Sequence, residues 1–203
     1  MENLDIENMS QEYFDVLKEL GNIGAGNATT ALAQMLGCKV DMSVPQVRLL
    51  DFKDVATLIG GEEQLMAGIY LGVDGDITGS IMFLLEKEAA RHLVSKITGM
   101  ESKGNDFTEM ELSALKEVGN IITGSYLNSL STLTGLYIYP TVPSLAIDMA
   151  AAILSVPAIE FGTMGDKILL IQTQFFDEVQ LDGYFILVPD IESYEEILSS
   201  LGL

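Results

Sequence analysis

Glu19 and Asn22 stand three residues apart, and Glu117 and Asn120 repeat that spacing 98 residues later. On a helix, at about 100° per residue, the three-residue step sets a carboxylate and a carboxamide side by side on one face. A carboxamide both accepts hydrogen bonds from water and donates to it. It can therefore fix the direction from which water approaches an electrophile, as the catalytic Gln of GTPases does. The neighbouring carboxylate can pair with a lysine or arginine on a partner surface. Together the two groups suit hydrolysis of a bond that is activated elsewhere, by a partner that already carries a phosphoryl group and its Mg²⁺.

Other chemistries are poorly supplied. Neither pair offers more than two oxygen ligands, and the single histidine, His92 in "AARHLVS", falls on another element, so a metal centre lacks donors. No serine sits in a GxSxG-like setting, and a Ser-His or Cys-His mechanism has only His92 to draw on. Gly24-Ala25-Gly26 is followed by Thr29 where a dinucleotide fingerprint needs a third glycine, and no strand precedes it. Asp74-Gly75-Asp76 lacks the remaining ligands of a calcium loop and reads as a turn. One cysteine, Cys38, allows no intrachain disulfide and reads as a small buried hydrophobe.

Long helices must carry the pairs. On a helical wheel Val16, Leu17, Leu20, Ile23, Gly24, Ala28, Ala31, Leu32 and Met35 make one apolar face. Opposite lie Asp15, Glu19, Asn22, Gly26 and Thr29, the first four spaced four, three and four residues apart along one line into solvent. Ser113, Glu117, Asn120 and Gly124 repeat that line, while Ala114, Leu115, Val118, Ile121, Ile122, Tyr126 and Leu130 face inward. Asn is a poor helix former, so a merely solvated face gives no reason for both helices to place it there. Gly24, on the apolar face, permits close packing, and Ile122 at the equivalent position makes that use local to the first helix. Gly26, on the polar line, leaves room for another protein to descend onto Asn22.

The repetition organises the chain. Lys18, Glu19, Gly21, Asn22, Ile23, Gly26, Leu32, Gly37, Val44 and Pro45 recur, without a gap, as Lys116, Glu117, Gly119, Asn120, Ile121, Gly124, Leu130, Gly135, Val142 and Pro143. This indicates one domain made of two repeats, about residues 8–100 and 106–203. Thr108 with Glu111 spells a capping box, with Phe107 and Leu112 as its hydrophobic staple, and Ser10, with Met9 and Phe14, is the counterpart. Helices are expected over 11–36 and 109–134, ended by Gly37 and Gly135. Each is followed by a proline-bearing extended stretch suited to a sheet edge. A hairpin comes next, "LMAGIYLGV" with "ITGSIMFLLE" or "KILLIQTQFF" with "GYFILVPD", then a short helix, "EKEAARHLVSKIT" or "IESYEEILSSL". The segment "IDMAAAILS" reads as a filler core helix without a close counterpart in the first half. The fold class is α+β: two pseudo-symmetric repeats forming a largely antiparallel β-sheet with the long motif-bearing helices packed on it.

Composition narrows the partners. At 203 residues and 48% hydrophobic, the chain can bury a sizeable core. Thirty Asp and Glu against ten Lys and Arg give a formal charge of -20, which repels nucleic-acid phosphates and anionic lipid surfaces. The acidic start "MENLDIENMSQEYF" has no secretion-signal pattern, and "SLAIDMAAAILSVPAIEF" is interrupted by Asp148 and Pro157. These features predict a cytoplasmic protein with no nucleic-acid partner and no membrane insertion.

The pattern Asp/Ser-x₃-Glu-x₂-Asn-x₂₂-Pro occurs twice, as Asp15, Glu19, Asn22, Pro45 and as Ser113, Glu117, Asn120, Pro143. It resembles the signature of the CheC family of chemotaxis phosphatases, related to CheX and FliY, over essentially the whole chain. Two motifs without an added flagellar-switch domain favour the stand-alone CheC type. The resemblance implies dephosphorylation of phospho-CheY, a response regulator that carries an aspartyl phosphate. By analogy, Asn22 and Asn120 insert into the regulator's active site and orient the attacking water, while Glu19 and Glu117 contact its active-site lysine. The regulator supplies Mg²⁺, so the chain needs no cofactor of its own. The family also binds CheD, a receptor-modifying deamidase, for which the segment around Asp148 is the candidate contact. Two alternatives stay open: an adaptor that docks the phosphorylated regulator without hydrolysis, and a regulatory partner of CheD.

Overall fold

The computed structural model describes residues 11–43, 46–104, 106–161, 167–176 and 180–202. The long helices α1 (Gln11–Leu36) and α4 (Glu109–Thr134) have the expected extents. Each stops at a glycine in the left-handed region, Gly37 at φ 63° and Gly135 at φ 74°, where any Cβ is strained. The Gly135 N–H donates to the Ser131 carbonyl at 2.8 Å and closes the last turn. α4 opens on the expected capping box, with the Glu111 N–H donating to Thr108 Oγ1 at 3.3 Å and the Thr108 N–H to Glu111 Oε2 at 2.6 Å. The counterparts Ser10 and Met9 lie outside the described residues.

The Ser102 hydroxyl, then the amide and hydroxyl of Thr108, hold the Glu111 carboxyl below the ordinary glutamate value. A depressed folded-state pKa contributes stability above the unfolded pKa and loses it as pH falls through the folded one. At neutral pH the wild type is expected to melt above Glu111→Gln, with the gap closing as acid protonates the carboxyl. Thermal melts of both proteins between about pH 2 and 7 check this.

Among the described residues eight strands form one antiparallel sheet: β1 (Asp41–Met42), β2 (Gln46–Asp51), β3 (Leu65–Gly75), β4 (Gly79–Glu86), β5 (Ile138–Pro140), β6 (Ser144–Met149), β7 (Lys167–Phe176) and β8 (Gln180–Pro189). The two expected hairpins, β3 with β4 and β7 with β8, meet at β4 and β8 in the centre. The proline-bearing stretches lie at the edges: β1 and β2 pair with β7, and β5 and β6 pair with β3. Each half's edge strands thus complete the other half's hairpin.

The register exposes an internal symmetry. Ala67 faces Leu85 in the first hairpin, and Leu169 faces Leu187 in the second, each 102 residues on. The same step carries Phe83 onto Phe185, and these two face each other across β4 and β8. A pseudo-twofold axis runs between them, perpendicular to the sheet, as it must between adjacent antiparallel strands. Both side chains are buried, with ring centroids 4.8 Å apart. Between the long helices the step is 98 residues, so four extra residues fall between β6 and β7 in the second half.

Helices cover both faces of the sheet. On one, α1 and α4, with α3 (Lys87–Thr98) and α6 (Ile191–Ser200), bury Leu20, Leu32, Leu93, Leu115, Ile122 and Ile197 against Ile69, Phe83 and Phe185. On the other, α2 (Phe52–Leu58) and α5 (Ala150–Phe161) bury Val55, Ile153 and Leu154 against Met66, Met82, Leu84 and Ile186. Each such aliphatic side chain contributes roughly 1.5–3 kcal/mol of burial.

Two expectations are corrected here. The helical segment of the second half does have a counterpart, since α2 begins 98 residues before α5, and Ile147–Met149 belong to β6 rather than to a helix. That helix begins where the Ala150 and Ala151 N–H groups reach the Gln64 and Glu62 carbonyls at 2.8 and 3.1 Å. Cys38 is exposed rather than buried. It follows the left-handed turn at Gly37, where the chain leaves the helix and its apolar face.

Candidate functional site

The paired residues occupy the outer faces of α1 and α4. Asp15 and Glu19 on α1, and Ser113 and Glu117 on α4, are exposed, as expected. Asn22 and Asn120 are half-buried, not projecting freely into solvent. The wheel explains the difference. On α1 the buried arc runs from Leu20 round to Thr29, and at about 100° per residue Asn22 lies only about 20° beyond Thr29. On α4 buried Leu127 takes the place of Thr29, so Asn120 borders the core in the same way. Thr29, expected on the polar face, is buried, its hydroxyl donating to the Ala25 carbonyl at 2.8 Å.

The two carboxamides differ. Asn22 Oδ1 is buried without a hydrogen-bond partner, whereas Asn120 has no such orphaned atom. An unmatched buried carbonyl costs about 1–3 kcal/mol.

The glycines divide as the wheel implied. A Cβ on Gly24 would lie 2.3 Å from Tyr126 Cδ2, and one on Gly119 would lie 2.4 Å from Ile69 Cγ2. These glycines let α1 approach α4 and let α4 approach β3. At Gly26 and Gly124 a Cβ would meet nothing within 4 Å, so the helix surface one turn beyond each Asn is open. Gly26→Ala and Gly124→Ala are each expected to raise stability by about 0.5–1 kcal/mol, from helix propensity, while lowering activity toward a docked partner. Urea unfolding and a turnover assay read the two opposite signs.

One interhelical contact had no signal in the sequence: Asn27 Nδ2 donates to Ser129 Oγ at 2.8 Å. Neither residue belongs to the repeated motif, and a polar residue on a helix flank reads as solvated until its neighbour is known. Pro143 is half-buried just before β6, and Pro45 lies outside the described residues. His92 sits half-buried on α3, and among the described residues no three His, Cys, Asp or Glu side chains converge as for a metal.

Asp148 belongs to a different surface. It is exposed on β6, where its Oδ1 accepts from the Met149 N–H at 2.7 Å. There it lines a groove with Tyr70, Met82, Ala146, Ile153 and Val156, on the α5 side of the sheet. It also borders a second hollow with Lys87, Phe107 and Leu112, so it stands at the sheet edge between the α5 face and the start of α4.

The sequence profile of the CheC-like family matches residues 14–48 and 110–147, each segment holding one Glu-Asn pair and its proline. The chain is 37% identical over 202 residues to the CheY-P phosphatase CheC of Bacillus subtilis, covering 96% of both proteins. Among solved structures, Thermotoga maritima FliY superposes with a TM-score of 0.76 at 22% identity, covering 96% of this chain and 98% of that one. The CheX-CheY-BeF3-Mg complex of Borrelia burgdorferi matches with a TM-score of 0.55 at 20% identity, covering 81% of this chain and 94% of that one. With twin motif helices on one antiparallel sheet and full-length similarity to a curated member, the chain belongs to the CheC-like family.

Proposed function

We propose that the chain hydrolyses the aspartyl phosphate of a CheY-type response regulator, using Asn22 and Asn120 to orient water and Glu19 and Glu117 to dock. The observation that carries this is the duplicated pair: an exposed Glu beside a half-buried Asn, with an open glycine one turn on, in both long helices. The carboxamide oxygen accepts from a water while its N–H₂ holds the partner surface, aligning the water's lone pair with phosphorus. As the water oxygen bonds to phosphorus, the bond to the aspartyl oxygen breaks. The aspartate leaves as carboxylate and the water's protons pass to phosphate and solvent. The Glu carboxylate pairs with the regulator's lysine and fixes the register of docking. Mg²⁺ belongs to the regulator, where it neutralises phosphoryl charge. The test is loss of radiolabelled phosphate from a phosphorylated CheY-type receiver, where acceleration by the wild-type chain is expected. Binding without acceleration would establish the adaptor reading instead.

The two motifs contribute unequally in this reading. Asn22 must first turn its buried oxygen outward, whereas Asn120 has no orphaned atom to release. Asn120→Ala is therefore expected to remove the larger share of turnover and Asn22→Ala the smaller. Equal losses in initial-rate measurements would refute the ranking.

The α5 face carries a second partner in the same proposal. Exposed Asp148, flanked by Met149 and Val156 at 44% and 46% exposure, offers a carboxylate on an apolar surface suited to a CheD-type deamidase. Among the described residues no helix is long and apolar enough to cross a membrane, and a response-regulator substrate places the work in the cytoplasm.

A further inference from the structure

A lysine precedes the Glu of each pair, Lys18 before Glu19 and Lys116 before Glu117. Both lysines are exposed. At about 100° per residue, Lys18 lies about 40° round the helix from Asn22 on one side, and Glu19 about 60° from it on the other. Lys116, Glu117 and Asn120 share these bearings. Each carboxamide therefore stands between an ammonium and a carboxylate, and, since helical side chains lean toward the helix start, it leans over the turn that carries both.

The flank that bears each lysine is dry further along. Ala25 and Thr29 lie within about 20° of the bearing of Lys18, and Thr123 and Leu127 within about 20° of that of Lys116. All four are buried. Core packing thus ends at the level of the lysines in both halves, and the ammonium groups stand in solvent at the rim of the motifs.

Their charge is uncommitted on a chain with an excess of acid. Thirty Asp and Glu compete for ten Lys and Arg, and Lys39 pairs with Asp41 at 2.7 Å and Lys103 with Glu101 at 2.8 Å. Among the described residues neither Lys18 nor Lys116 has an ion-pair partner. A single exposed lysine is an ordinary helix residue. Two unpaired ones, at matching places beside the same Asn, call for a common cause.

The proposed reaction supplies one. A chain of formal charge -20 repels a phosphoryl group, yet its amides must meet one. Glu19 and Glu117 take the receiver's lysine in that reading, which leaves the phosphoryl group and the acidic side chains around it short of counter-charge. An ammonium on the same turn restores it.

We propose that Lys18 and Lys116 are receiver-binding residues, each pairing with an anionic oxygen of the phosphorylated pocket while the adjacent Glu takes the receiver's lysine. This rests on the phosphatase reading, whose substrate is the same receiver. A single ion pair leaves the docked receiver free to swivel. Two pairs of opposite sign, on either side of the Asn, fix the direction in which its amide presents water.

The test compares wild type with Lys18→Gln/Lys116→Gln, Lys18→Arg/Lys116→Arg and, as a control of equal charge change, Lys39→Gln/Lys103→Gln. Turnover of a phosphorylated CheY-type receiver gives kcat and KM, and calorimetry with the receiver carrying beryllofluoride and Mg²⁺ gives Kd, each at about 50 and about 500 mM salt. Lys18→Gln/Lys116→Gln is expected to raise KM and Kd about three- to tenfold at low salt, with kcat within about twofold and the gap narrowing at high salt. The Arg variant and the control should stay within about twofold of wild type. Unchanged affinity in the Gln variant, an equal loss in the control, or a fall in kcat without a rise in KM overturns the role of the lysines and leaves the phosphatase reading standing. Wild type that binds the receiver without speeding its dephosphorylation overturns the phosphatase reading, and Kd alone then decides the lysines. No binding by wild type overturns both.

Discussion

The Asn22→Ala/Asn120→Ala double variant will release phosphate from a CheY-type receiver no faster than the receiver does unaided, while folding as well as wild type. In the proposed mechanism each Asn sets the direction of the attacking water, and misplacing a reacting atom by about 1 Å can cost 10²-fold. Removing both amides should therefore cost about 100-fold or more, which leaves only the receiver's own rate. The stability prediction has the opposite sign. Asn is a poorer helix former than Ala by up to roughly 0.7 kcal/mol, and deleting Asn22 also removes its orphaned buried oxygen. Loss of turnover with an equal or higher melting temperature separates a functional group from a structural one. Undiminished turnover in the double variant would sink the mechanism.

Gly24→Ala will destabilise the fold, although an exposed helical glycine replaced by alanine would stabilise it. The new Cβ would stand 2.3 Å from Tyr126 Cδ2 and 2.5 Å from Cε2. Tyr126 has nowhere to retreat, since it is 2% exposed and stacks on Phe185 at 5.8 Å between centroids. Overpacking of this kind costs about 1–3 kcal/mol, against up to about 1 kcal/mol gained in helix propensity. The expected net loss is about 1–2 kcal/mol, read as a lower urea midpoint. In a Tyr126→Leu background the loss should shrink, because the contacting ring is gone, and the double-mutant cycle should show coupling. An undiminished penalty there would place the strain elsewhere.

The long helices, both hairpins, the edge placement of the proline-bearing stretches and the closing helices were legible in the sequence. Each has a local cause that survives in one dimension: a capping box, a left-handed glycine, a period of two or 3.6. What escaped depends on a neighbour. α2 is only seven residues long and its N-cap residue Asp51 does not cap it through a side-chain hydrogen bond, so nothing local announces it. Residues 147–149 look helical by composition, yet pairing with β3 makes them a strand. The wheel placed Asn22 and Thr29 in solvent because it treats a helix as half wet. Burial is turned round the helix from the expected apolar face, so that it reaches Thr29 and borders Asn22 on the flank away from α4. The Glu-Asn pairs themselves were found because they occur twice, whereas Asn27 and Ser129 occur once and were missed.

The ring pair at the centre of the sheet bears on how such a chain can change. A residue on a twofold axis meets its own copy in any isologous dimer, and Phe83 with Phe185 is that meeting held within one polypeptide. In two identical subunits every substitution is made twice, so a glycine carved out for an opposing tyrosine would appear on both sides of the interface. Covalent continuity lifts that constraint. Tyr126 can sit against Gly24 on one side while Ile122 and Ala28 occupy the mirrored places, and one motif can drift toward restraint while the other stays ready.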